Sequence, residues 1–384
     1  MSALLPLSVL LPLLGAIAIL LQPASRSRLL ALFTTALALV LSLAVAMPFD
    51  PRGGWQALSQ ADWLPSLGIG FRFGLDGLGL HFALLTSVVA FASAAVAWRA
   101  QKGDKLEMAM LLFVQAGAGL AYAGRDLFLF VAGWQVALTA LATCLAAYAP
   151  TGTSSKLRLF TGIASALSLS ALLVLYLLNG SAADVVLLQQ NHPAAVAPME
   201  MQRVIFGVLA AGFALQMPLV PFHPWLLDAL EDLPAPLAAM LAGVVAPLGV
   251  FGLIRFGLAV MPGPAQALSP VLVFLGLVSL LYGLWGALAA SGRRRMACVL
   301  LAAVGALVVG LGVMQLVTIK LALLLLAAIG IGLPAWVLAA EARPTNARLA
   351  PLAVGVGLAA VLWPLMTAGV LDGFAASLAP LIGL

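Results

Sequence analysis

Apolar runs of about 20 residues follow one another along almost the whole chain, separated by short turns, and this leaves only one solvent in which it can fold. A hydrocarbon core about 30 Å thick is crossed by roughly 20 helical residues at about 1.5 Å each. The runs are continuous rather than alternating, which excludes a membrane β-barrel and leaves an all-α polytopic membrane protein. Composition agrees, with 64% hydrophobic residues, 8% charged residues and a mean hydropathy of +1.16, where soluble domains carry about 25% charge.

Twelve spans are expected, at 3–22, 29–47, 76–98, 105–123, 126–148, 157–178, 204–220, 235–254, 268–290, 296–316, 320–340 and 349–370. The opening MSALLPLSVLLPLLGAIAILLQ lacks the basic start and small-residue cleavage site of a secretory signal, so it reads as a retained first span. Two connections are long, 48–75 and 179–203, and the second holds QQNHPAAVAPMEMQR, which reads as an extended, solvent-facing excursion. Twelve Lys and Arg fall in the odd-numbered loops (Arg26, Arg28, Arg99, Lys102, Lys105, Lys156, Arg158, Arg293, Arg294, Arg295, Arg343, Arg348), and six in the even-numbered ones (Arg52, Arg72, Arg125, Arg203, Arg255, Lys320). The positive-inside rule then predicts cytoplasmic odd loops and an outer N-terminus in an inner (cytoplasmic) membrane.

Cys144 and Cys298 sit inside apolar runs with no second ligand at metal spacing, and read as packing residues. No nucleophile–base pair, metal-ligand cluster or phosphate loop is visible, so no catalytic, metal or cofactor site is expected on this chain.

The most unusual stretch is FALQMPLVPFHPWLLDALEDLPAP at 213–236, where five prolines, one histidine and three acids interrupt the apolar pattern. Between Pro224 and Pro234 only a short helix fits, with Asp228 and Asp232 sharing a face at i,i+4 and Glu231 beside them. One reading is a solvated acidic turn closing the outer-facing half of a two-span unit. The other is that His223 and Asp228 line an aqueous vestibule or contact a neighbouring subunit. Asp76 is expected to cap the third span, with a role at a subunit boundary as the alternative, and His81 to be a packed, hydrogen-bonded histidine. Arg255 is expected to snorkel to the interface at the negative end of its helix. Lys320 is either a relic of ion handling or a snorkelling edge lysine. The run Arg293, Arg294 and Arg295 reads as a topology anchor with affinity for anionic headgroups, or as a contact for an acidic partner.

Four strings, in order, carry a family resemblance: FRFGLDGLGLHFALLTS at 71–87, DLFLFVAGWQVALTAL at 126–141, the stretch from 213 to Arg255, and LYGLWGALAASGRRRMACVLLAAVG at 281–305. The third fixes Pro218, Pro221, His223, Trp225, Asp228, Ala229, Pro234, Pro236, Gly243, Gly252 and Arg255 together. From about 70 to 360 the chain resembles the antiporter-like membrane subunits of respiratory complex I, membrane-bound hydrogenases, formate hydrogenlyase and Mrp-type cation/proton antiporters. That family usually has fourteen spans, two more than expected here. The resemblance implies an antiporter-like bundle around a broken seventh helix, divided into residues 1–100, a bundle at 101–260 and an incomplete second bundle at 261–384.

The resemblance also implies a mid-membrane proton path made of a glutamate, two lysines and histidines, and here the chain departs from the family. The glutamate position is Gln135, the lysine of the broken span is Gln216, the lysine of the next span is Pro247, and the two histidine positions are Ala303 and Ile329. Glutamine hydrogen-bonds but does not titrate. A buried charge at mid-membrane costs about 2.5–3.5 kcal/mol or more, which only function justifies. The implied role is therefore a membrane-arm subunit of a redox-driven proton- or cation-translocating complex that does not itself pump. His223, Asp228, Glu231, Asp232, Arg255 and Lys320 remain as vestibule or partner contacts. Iron–sulfur clusters, flavin or nickel–iron would belong to partner subunits and none to this chain. The alternatives are a structural scaffold of such a complex, or the membrane subunit of an inorganic-carbon-accumulating transporter paired with a zinc protein.

Overall fold

The computed structural model describes residues 3–51, 53–191 and 197–341. It opens with α1 (Leu4–Leu21) and α2 (Ser27–Ala46), then a hairpin of β1 (Gln56–Leu64) and β2 (Ile69–Leu75). There follow α3 (Gly77–Ala100), α4 (Lys105–Ala123), α5 (Leu127–Tyr148), α6 (Thr151–Leu178), the short α7 (Val185–Asn191) and α8 (Met199–Gln216). The chain continues through α9 (Pro224–Asp232), α10 (Ala235–Met240), α11 (Ala246–Gly252), α12 (Pro262–Ala267), α13 (Ser269–Ala289), α14 (Gly292–Gly312) and α15 (Leu316–Glu341).

Among the described residues ten helices are long and apolar enough to cross a membrane, against the twelve expected. α8 corresponds to the expected seventh span but falls short of that group, because Glu200, Gln202 and Arg203 occupy its first turns. The twelfth span at 349–370 lies outside the described residues, as do Arg52, Arg343 and Arg348.

Three successive spans start at an aspartate whose carboxylate accepts a free N–H of the first turn. Asp76 accepts from Gly79, Asp104 from Glu107 and Asp126 from Phe128, the arrangement that satisfies the unpaired donors of a helix start. Side by side, the helices are held by small residues. A Cβ on Gly117 of α4 would lie 2.6 Å from Ala137 N and from Gly133 O of α5, so only glycine permits this backbone approach. α13 turns a stripe of Leu272, Gly276, Ser279 and Gly283 inward, toward α14, and leaves Phe274, Leu281, Trp285 and Leu288 exposed, as suits a helix facing lipid.

At the centre is the span Ala235–Leu258, buried along its whole length. It is not a plain α-helix. α10 and α11 are joined by a π turn at Leu241–Val245, and a second π turn, Leu253–Leu258, follows α11. Pro247 has no N–H to donate and its ring crowds the carbonyl four residues back. The wider turn immediately before it accommodates that conflict, as π turns commonly do inside helices. The Tyr122 hydroxyl donates to the Val244 carbonyl at 2.6 Å in the same turn. Tyr122 stacks on Phe82, and both rings meet the edge of Phe251.

Both long connections are more structured than expected. Residues 48–75 include the antiparallel hairpin, turned by Pro65–Leu67 and Gly68 at a left-handed φ of +61°. Residues 179–203 include α7, with Val185 and Leu188 buried just before QQNHPAAVAPMEMQR, whose described residues are half-buried or exposed, as expected, though 189–191 and 199–203 are helical rather than extended.

Candidate functional site

The prolines of 213–236 do break the helix. α8 ends at Gln216, and residues 217–223 turn before Pro224 opens α9. Backbone groups freed by the break are taken up by side chains. Trp225 Nε1 donates to the Leu215 carbonyl at 3.1 Å, and the Val220 N–H donates to Ser279 Oγ of α13 at 2.9 Å. Gln216 stands at the edge of the break, 0% exposed, and neither its amide oxygen nor its nitrogen has a hydrogen-bond partner among the described residues.

The acids of α9 are paired rather than freely solvated. Lys156 Nζ donates to Asp228 at 2.6 Å, Thr153 Oγ1 donates to Asp232 at 2.6 Å, and Arg294 lies 3.5 Å from Glu231. Arg293 donates to the Leu233 carbonyl at 2.5 Å. All four partners come from odd-numbered loops, so this turn sits at the basic-loop end of the molecule. The turn therefore lies at the same end as the odd-numbered loops, the end that the positive-inside rule predicts to be cytoplasmic, at odds with its expected place on an outer-facing half. His223 is buried, its ring tilted against Tyr282 at 4.7 Å between centroids, and its Nδ1 has no partner among the described residues.

The other positions where the family's titrating groups are replaced lie on four different helices, α5, α11, α14 and α15. Trp134 turns inward against Phe213 of α8, at 5.6 Å between centroids. Its neighbour Gln135 is half-buried and lines a groove of about 460 Å³ between α5 and α6, whose lining does not include Gln216. Pro247 is buried at the start of α11, Ala303 is half-buried on α14, and Ile329 is buried on α15. Lys320 is half-buried in the second turn of α15.

Sequence reasoning missed Gln115, which is buried mid-way along α4 with both amide atoms unpartnered among the described residues. A lone amide in the run MLLFVQAGAG was the available signal.

Opposite the acidic turn, three arginines are paired: Arg255, expected to snorkel, and Arg72 and Arg125, counted only as loop charges. Arg255 is 3% exposed and reaches Asp76 at 2.5 and 2.8 Å, with its guanidinium carbon 4.6 Å from the centre of the Trp55 ring and 4.9 Å from that of Phe251. It does not snorkel. Arg72 donates to Asp126 at 3.0 Å and Arg125 to Asp184 at 2.9 Å. The Asp126 carboxylate also accepts the N–H groups of Gly70 at 3.0 Å and Phe128 at 2.9 Å. Backbone bridges from Phe73 to Gly124 and from Asp126 to Asp184 stitch the hairpin, the α4–α5 turn and the α6–α7 turn together. His81 is buried nearby in sequence, edge-on to Phe82. Among the described residues no group of three or more His, Cys, Asp or Glu can hold a metal ion.

Residues 124–366 match the family described as NADH:quinone oxidoreductase/Mrp antiporter, TM. An NAD(P)H-quinone oxidoreductase chain 4 of a Picosynechococcus species is 28% identical over 312 residues, covering 78% of this chain and 57% of the relative. A second chain 4 from that organism is 30% identical over 258 residues, covering 64% and 45%. The chain thus spans about half the length of the curated relatives it matches. Among solved structures, a chain of respiratory complex I from Thermus thermophilus with bound NADH aligns with a TM-score of 0.78 at 28% identity, over 99% of this chain and 85% of that one. A chain of the Mrp complex from a Dietzia species shares the fold, with a TM-score of 0.78 at 20% identity, over 99% and 78%.

Proposed function

The chain belongs to the NADH:quinone oxidoreductase/Mrp antiporter transmembrane family, and from that premise we propose that it is a membrane-arm subunit of a multi-subunit, redox-driven proton- or cation-translocating complex which does not itself carry protons. Gln216 is the observation that supports the second half. At the broken helix, where a relay needs a group that exchanges protons near working pH, the side chain is a fully buried amide. Gln135, Pro247, Ala303 and Ile329 add no titrating group, and Gln135 opens onto a surface groove from which Gln216 is absent.

In this reading the chain lies in the inner membrane with its N-terminus outside, and other integral membrane subunits flank it. Iron–sulfur, flavin or nickel–iron centres belong to partners. His223, Asp228, Glu231, Asp232, Arg255 and Lys320 then serve packing and assembly. Residues 1–100, 101–260 and 261–384 act as an N-terminal helix group, a first bundle and the beginning of a second.

The test is to install Gln135→Glu and Gln216→Lys in the complex reconstituted in liposomes and measure protons moved per electron. An unchanged ratio is expected, and a rise overturns the non-pumping reading. Purification in mild detergent tests the assembly. Co-purifying iron–sulfur or nickel–iron proteins support it, and a carbonic-anhydrase-like zinc protein in their place would move the chain to the inorganic-carbon reading.

A further inference from the structure

The groove beneath Gln135 has a shape and a charge that the proposed function does not use. It runs along α5 from Gln135 through Leu138, Ala142 and Ala146, faced by Arg158, Gly162 and Ser165 of α6. Eleven helical rises separate Gln135 from Ala146, a length of about 16 Å at about 1.5 Å each, close to one leaflet of a hydrocarbon core about 30 Å thick. A neighbouring transmembrane helix would need a seat along the full thickness. The two threonines nearest the mouth turn their hydroxyls back on their own helices, Thr143 to the Thr139 carbonyl at 2.8 Å and Thr161 to the Leu157 carbonyl at 2.7 Å. Most of the lining is therefore methyl and methylene.

At the mouth stands Arg158, exposed and at the basic-loop end. Its nearest partners are the carbonyl and hydroxyl oxygens of Ser154, both at 3.3 Å, and it makes no ion pair among the described residues. Lys156, two residues away, is already held by Asp228. A fixed guanidinium at a headgroup depth, above a leaflet-deep apolar slot, matches a phosphate with an acyl chain behind it, and basic pockets between helices hold anionic headgroups in this way.

We propose that the α5–α6 groove binds an anionic phospholipid, with its phosphate on Arg158 and one acyl chain lying along Leu138 and Ala142 toward Gln135. The site stands whether or not the complex pumps.

The test uses the full chain with its co-purifying subunits, in nanodiscs of phosphatidylglycerol or phosphatidylcholine, with retained lipid counted by native mass spectrometry. The unaltered protein retains phosphatidylglycerol in preference, and Arg158→Gln lowers its affinity about tenfold, as loss of one charge-assisted contact brings. Gly162→Leu fills the slot and lowers retention of both lipids. A Cβ at Gly162 meets nothing within 4 Å, so this variant folds. Arg26→Gln, at a distant loop, serves as the control and leaves retention unchanged. Retention by Arg158→Gln equal to that of the unaltered protein overturns the proposal. So does the failure of phosphatidylglycerol carrying a photo-reactive acyl chain to cross-link to α5 or α6.

Discussion

Arg255 and Asp76, 179 residues apart in sequence, form a two-pronged ion pair at 2.5 and 2.8 Å in a site almost closed to solvent. The pair ties the second π turn of the central span to the start of α3, where Asp76 also accepts the Gly79 N–H. Breaking a buried pair from one side strands the other charge and costs about 3–5 kcal/mol, whereas replacing both partners costs far less. Asp76→Asn keeps the cap but loses the pair, so a large drop in thermal stability in detergent is expected. Adding Arg255→Met to Asp76→Asn should recover a substantial part of it.

At the break, Trp225 Nε1 is the donor that satisfies the Leu215 carbonyl. Trp225→Phe keeps an aromatic ring but leaves that buried carbonyl without its donor, a loss of about 1–3 kcal/mol. The effect should be local. Hydrogen exchange is expected to quicken at 215–223 while the α4–α5 amides keep their protection, and uniform acceleration would show that the break is not an independent unit.

How much of this was legible follows from the range over which each feature acts. A 20-residue apolar run and a cluster of prolines are local properties, so α3 to α5 and the break at 217–223 could be found from sequence within a few residues, whereas α6 starts six residues earlier than expected, at Thr151, because its first turns are polar. The pairing of Arg255 with Asp76 depends on two spans meeting, and a lone arginine at a helix end reads equally well as a snorkelling anchor. The hairpin was hidden because glycines at 68, 70 and 74 interrupt its alternation. Gln135 and Gln216 looked like two stations on one path. In the structure Trp134 takes the position against Phe213, three residues before Gln216, and Gln135, about 100° round the helix, lines the groove with α6.

Gly117 sets the distance between α4 and α5. A side chain there meets backbone atoms of Gly133 and Ala137 at 2.6 Å, and backbone cannot move aside as a flexible side chain can. Overpacking typically costs about 1–3 kcal/mol, and Gly117→Val should fall at or above the top of that range. The expected outcome is aggregation or loss of the folded peak on size-exclusion chromatography. Gly162→Val, whose Cβ faces open space, should run as the unaltered protein does.

Gln216→Lys tests whether the buried site at the break still communicates with α5. The site is 0% exposed, and an ammonium at mid-membrane costs about 2.5–3.5 kcal/mol or more. If Gln135→Glu supplied a counter-charge within reach, the double variant would recover much of that loss. Gln135 lines the α5–α6 groove, however, and Gln216 does not. The two effects should therefore add within about 0.5 kcal/mol, as independent sites do. Thermal stability of both single variants and the double variant at one pH measures the coupling directly. A favourable coupling above about 1 kcal/mol would mean that the two side chains meet through the core, and the non-pumping reading would then lose its structural basis.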